Sequence, residues 1–185
     1  MTPAEYVQLK AFARQDGAYL SVLWIASFAS YIMGINHPWY SVAALFLMVV
    51  TPFFVGRRLR RFRDEDRDGV ISLLRGWVYA ILVFFYAGIL LAVVQYVYFA
   101  FIDHGYLVSS FMSAMSSTEG KQMIEMYGMQ QTMEESLDMM AKMRPIDYAL
   151  NILTVNISIG IVMGLPIAAL MQRSVAHAQQ NNQQQ

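Results

Sequence analysis

The sequence predicts an all-α membrane protein: a four-helix transmembrane bundle with a short amphipathic helical subdomain between the third and fourth helices. Three observations carry this. Four long apolar stretches run from Ala18 to Ile35, Trp39 to Val55, Gly76 to Ile102 and Ile146 to Met171. Each is near or above the about 20 mostly apolar residues a helix needs to cross a hydrocarbon core of about 30 Å. The chain is 57% hydrophobic and only 14% charged, too apolar for a soluble domain of 185 residues. Ten of its thirteen Lys and Arg residues also lie on one side of the four stretches.

Residues 1–17 form a polar N-terminal segment carrying Lys10 and Arg14. The first stretch follows, and Ser27-Phe28-Ala29 within it faintly resembles a signal-peptide cleavage site. Tyr31, Ile32 and Met33 continue the apolar run past that point, which favours a retained anchor. The second stretch spans roughly 25 Å at about 1.5 Å per residue. An arginine-rich loop is expected at 57–69, where Arg57, Arg58, Arg60, Arg61 and Arg63 precede Asp64, Glu65 and Asp66. Arg60–Asp64 and Arg61–Glu65 stand at helical pairing distance.

The third stretch gives roughly 40 Å on the same rise, so it must tilt or project beyond the membrane. Tyr96, Tyr98, Phe99 and Phe101 stand where an outer aromatic belt belongs. Residues 103–145 make the extracytoplasmic segment, with nine of the fourteen methionines. Met126, Met129, Met133, Met140 and Met143 follow three- and four-residue steps, the spacing of one helical face. Gly128 suggests a break, and Thr132 with Glu135 fits a capping box, so two short helices are expected here. The fourth stretch occupies 146–172, and 173–185 is a Gln/Asn-rich tail of the kind that stays disordered. Lys and Arg accumulate in cytoplasmic loops, so the chain is expected N-in and C-in, with the methionine-rich segment outside.

Arg63-Asp64-Glu65 with Gly69 and Ile71-Ser72, then Phe101-Ile102-Asp103, then the Met- and Glu-rich segment closing at Pro145 occur in a moderately specific order. In these motifs the chain, from Thr51 onward, resembles a family of bacterial membrane proteins catalogued as domain of unknown function 4199 (DUF4199). Two departures stand out: His104 follows Asp103 where the family tends to have Pro, and the arginine run is unusually dense. The resemblance implies four helices and a bacterial inner-membrane location, and it implies no activity.

Candidate sites carry ordinary readings beside functional ones. The arginine cluster suffices as a determinant of orientation, and the same five residues are candidates for contact with anionic lipid or a partner. Arg75, five residues into an apolar run, is placed to snorkel to the headgroups. Met126, Met129, Met133 and Met140 are candidates for packing or for docking a lipid or protein partner. Met123, Met126 and Met129 could also supply soft ligands to Cu(I). His37, Asp103, His104 and Asp147 bear the groups of a metal or proton site without its spacing. Asn156, Gly160 and Gly164 recur every fourth residue, a stripe that lets a helix approach closely. Ala26, Ser30 and Gly34 of the first helix offer a matching face, so the first and fourth helices are expected to pack together, ahead of self-association through the same faces.

No G-x-S-x-G, H-E-x-x-H or P-loop pattern occurs, and no cysteine is available for a disulfide, a thiolate ligand or a nucleophile. No cofactor, metal or nucleic acid is expected. The expected partners are the bilayer and another membrane protein or a second copy. The leading functional expectation is a non-enzymatic accessory or scaffold subunit. The alternative is a small homo-oligomeric transporter or channel. A lipid-acting enzyme would need a joint role for Asp103, His104 and Asp147.

Overall fold

The first two apolar runs belong to longer helices, and the last two coincide with theirs to within three residues. A computed structural model describes residues 2–173; of the expected Gln/Asn-rich tail, 174–185 lie outside the described residues. Among the described residues there are seven helices: α1 (Pro3–Gly34), α2 (Pro38–Asp66), α3 (Leu73–Phe101), α4 (Tyr106–Ser116), α5 (Thr118–Tyr127), α6 (Gln130–Lys142) and α7 (Pro145–Met171). No strand occurs among them, only a bridge that pairs Ile71 with Arg173. The four long helices, α1, α2, α3 and α7, are long and apolar enough to cross a membrane. The protein is therefore a membrane protein with four spanning helices.

Helix α1 starts fifteen residues before its apolar run. Thr2 and Glu5 close a capping box, and Pro3 sits in the first turn, where its missing N–H costs nothing. The arginine segment, expected as a loop, is helix through Asp66. Leu59 and Phe62 continue the buried stripe of α2 beyond the apolar run. Ion pairs Arg60–Asp64 (3.6 Å) and Arg61–Glu65 (2.8 Å) support the exposed face one turn apart.

Two compact units divide the described residues: one holds everything up to Ala92 and from Ile152 onward, the other Val93–Asn151. In the first unit, partners on α1 and α2 step in opposite directions: Ser27 Oγ donates to the Ala44 carbonyl, Trp24 Nε1 to Thr51 Oγ1 (3.0 Å), and Asp16 meets Arg58. The two helices are thus antiparallel. Helix α3 stands against the other three. Phe62 of α2 stacks on Tyr79 (5.1 Å, 10°), and Trp24 of α1 tilts against Phe84 (5.6 Å). Large apolar side chains on α2 such as Phe46, Met48 and Phe53 remain exposed, the arrangement expected of a lipid-facing surface.

The small-residue stripe of α7 lies on α3 rather than on α1. A Cβ on Gly160 would stand 2.6 Å from Phe84 Cβ, and one on Gly164 would meet Ala80 and Trp77 at 3.2 Å. Asn156 borders Gly88 of α3. On α1, Gly34 faces Ser41 of α2 instead. The expected α1–α7 pairing is corrected because α3 carries its own small residues, Gly76, Ala80 and Gly88, at matching heights. Trp77 Nε1 also donates to the Ile161 carbonyl (2.9 Å), within two turns of Pro166.

Thr51→Val keeps the shape but leaves the buried Trp24 N–H without an acceptor. The expected cost is about 1–2 kcal/mol, read as a lower midpoint in detergent unfolding.

In the second unit, Asp103 is buried and accepts from the backbone N–H groups of Gly105 (3.1 Å) and Leu107 (3.2 Å) at the start of α4. His104 (φ 46°) and Gly105 (φ 82°) form this turn. Proline, fixed near −65°, could not take the first of these positions. Phe99 stacks on Tyr148 (4.3 Å, 18°), whose hydroxyl donates to the Met140 carbonyl (2.6 Å). The methionine-rich segment forms three helices, not two. Ser117 N-caps α5, and Gly128 ends it at φ 61°. Helix α6 begins at Gln130, so Thr132 lies inside it and accepts from Ser136 at its carbonyl instead of capping.

Candidate functional site

Charged side chains gather where α1, α2 and α3 meet at the arginine end of the first unit. Along α1 the buried residues Leu9, Ala13, Asp16, Gly17, Leu20, Ser21 and Trp24 form one helical stripe, and Asp16 is the acid within it. Its residue is 2% exposed. Arg58 of α2 donates to Asp16 Oδ1, and the Tyr79 hydroxyl of α3 donates to Oδ2. Three helices therefore converge on one carboxylate. Aromatic rings close over it: Phe62 stacks on Tyr79, and Phe12 packs on Phe62 at 5.2 Å. The Arg58 guanidinium lies over the Tyr19 ring at 5.1 Å.

A second knot lies on the same unit. Glu5 accepts from Arg67 (2.7 Å) and Arg75 (3.1 Å), joining α1 to both ends of the α2–α3 connection. Arg75, expected to snorkel to headgroups, is turned to this carboxylate instead. Arg63 is 3% exposed; it donates to Asp64 (2.7 Å) and to the Met171 carbonyl (2.8 Å). The Ile71–Arg173 bridge fastens the same turn to the end of α7. The arginine cluster is thus divided by its helical spacing. Arg58 and Arg63 face inward and hold helices together, whereas Arg57, Arg60 and Arg61 are exposed.

Between α1 and α2 a cavity of about 150 Å³ opens beside this cluster, lined in part by Asp16, Tyr19, Arg58, Arg61, Glu65 and Asp66. Asp16 and this cavity went unnoticed in the sequence because Asp16 stands just before the apolar run, where a charge is unremarkable. The three- and four-residue recurrence of buried positions on α1 is the signal that places it inside.

The methionines divide differently. Met126 on α5 is 76% exposed, and Met129, also exposed, stands past the Gly128 break at the N-cap of α6. Met123, Met126 and Met129 thus do not share one helix, and neither do Met126 and Met133. Met133 and Met140 are half-buried on one face of α6. Asp147 pairs with Arg144 (2.9 Å) and, by hydrogen bonding to it, raises the guanidinium pKa. Asp103 caps α4, so both carboxylates are occupied. Among the described residues no three His, Asp or Glu side chains gather as metal ligands. Gln95 Oε1 and Asn156 Nδ2 are buried without a hydrogen-bond partner among the described residues.

A family model described as "Protein of unknown function (DUF4199)" matches residues 15–173. No curated protein matches the chain, and no solved structure does.

Proposed function

The chain belongs to the DUF4199 family of proteins of unknown function, and from that premise we propose that it is a non-enzymatic accessory or scaffold subunit of the bacterial inner membrane. One observation supports the reading above others. The ionic groups joining the long helices pair with one another, whereas α5 and α6 bury no residue and present Met123, Met126, Tyr127 and Met139 to their surroundings. Unbranched thioether side chains on an exposed helix suit the docking of a partner. The basic residues favour an N-in and C-in topology, with these helices outside and the exposed arginines Arg57, Arg60 and Arg61 inside. The bilayer and another membrane protein are the partners in this reading, and nucleic acid is not.

The test uses tagged protein purified from its native membrane in mild detergent. The expected result is a stoichiometric second protein that is lost from the Met126→Glu/Met139→Glu variant, both positions being exposed enough to leave the fold intact. A pure homo-oligomer, unchanged by the substitutions, overturns the reading. The second reading is a small homo-oligomeric transporter or channel, favoured by the buried, partnerless Gln95 Oε1 and Asn156 Nδ2 atoms in membrane-length helices. Solute flux into proteoliposomes, abolished by Asn156→Leu, supports that reading over the first.

A further inference from the structure

The cavity between α1 and α2 has hydrogen-bonding capacity that its own ion pairs leave unused. Arg61 gives its Nε to Glu65, and its terminal N–H groups make no further hydrogen bond among the described residues. Arg58 turns Nε and one terminal nitrogen to Asp16 and retains the other. Asp66 lines the same cavity and makes no ion pair or hydrogen bond among the described residues. Two guanidinium groups and three carboxylates thus border one space, and each sign has unmet capacity. A simple anion would meet an excess of carboxylates. A simple cation would leave the guanidinium N–H groups unanswered. A ligand bearing both charges satisfies both sets.

Depth decides where such a ligand comes from. The cavity borders α1 from Phe12 to Tyr19, and the apolar run begins at Ala18. Tyr19 and Val22, on the next turn, are exposed. A phosphate seated beside Arg58 and Arg61 would therefore stand at the hydrocarbon boundary, with acyl chains following the Tyr19–Val22 face. Basic pockets between spanning helices are known binding places for lipid headgroups. We propose that this cavity binds one phospholipid with a zwitterionic phosphoethanolamine headgroup, its phosphodiester on Arg58 and Arg61 and its ammonium on Glu65 and Asp66. The primary ammonium donates hydrogen bonds to the carboxylates, which a quaternary ammonium cannot do.

The experiment is native mass spectrometry of the full chain, delipidated and then offered phosphatidylethanolamine, phosphatidylcholine or phosphatidylglycerol with identical acyl chains. One phosphatidylethanolamine is expected to be retained in preference to the other two. Each of Arg61→Gln and Asp66→Asn removes a charge-assisted contact and is expected to weaken retention about tenfold. Lys10→Gln, exposed and outside the cavity, is expected to leave it unchanged. All of these positions are partly or fully exposed, so the variants should fold, and helicity checks this. Equal retention of phosphatidylglycerol, or retention unchanged in Arg61→Gln and Asp66→Asn, overturns the proposal. Soluble glycerophosphoethanolamine bound as tightly as the lipid overturns the lipid as the source.

Discussion

Asp16→Ala is expected to destabilise the bundle by about 3–5 kcal/mol, because it leaves the Arg58 charge among α1, α2 and α3 without its counter-ion. The Tyr79 hydroxyl loses its acceptor in the same step. The loss should appear as a lower midpoint when helicity is followed through a detergent-to-dodecylsulfate titration. The discriminating variant is the double substitution Asp16→Leu/Arg58→Met. It removes both charges and replaces them with apolar volume, and buried ion pairs exchanged in this way often lose little or gain stability. Recovery of most of the stability in the double variant is therefore expected. Single and double variants all within about 1 kcal/mol of the parent would mean that water already solvates the pair.

That pair also shows what was legible in the sequence. Length and apolarity identify four spanning helices because the bilayer imposes one length on all of them. The i,i+4 pairs Arg60–Asp64 and Arg61–Glu65 were legible because a helix sets that spacing by itself. Asp16 was obscured by its position at the edge of the apolar run, although its place in the Leu9–Trp24 stripe shows which way it points. The helix that receives α7 was not legible. Gly160 and Gly164 announce a close approach, but α1 and α3 both offer small residues, and only the packed bundle selects Ala80 and Phe84. Among the short helices, Gly128 marks a real end at positive φ, whereas Thr132-x-x-Glu135 is a capping pattern overridden by a helix that begins at Gln130. The inward turn of Arg63 depends on the Met171 carbonyl, 108 residues away, which no local pattern contains.

Among the glycines that pack α1 and α7 onto α3, the largest effect from a single added methyl is expected at Gly17. A Cβ there would stand 2.7 Å from Tyr86 Cβ, 2.9 Å from the Val83 carbonyl oxygen and 3.2 Å from the Ala87 nitrogen. Two of those three atoms belong to the α3 backbone, which cannot rotate away as a side chain can. Helix α1 would have to move off α3 as a whole, and this motion would pull Asp16 from Tyr79 one residue earlier in the chain. Overpacking of a tight core costs about 1–3 kcal/mol, and Gly17→Ala should reach the upper end or exceed it. Gly160→Ala meets Phe84 Cβ at 2.6 Å, a side-chain atom but one anchored to its helix, and should cost less. Gly164→Ala meets only Ala80 Cβ and the Trp77 ring at 3.2 Å, a crowding that a few tenths of an ångström relieves. Ala also favours the helix over Gly by roughly 1 kcal/mol, which offsets part of each penalty and should bring Gly164→Ala close to neutral. The expected order of destabilisation in detergent unfolding is Gly17, then Gly160, then Gly164. A neutral Gly17→Ala would mean that α1 and α3 stand further apart than the Asp16–Tyr79 hydrogen bond requires, and the three-helix cluster around Asp16 would fall with it.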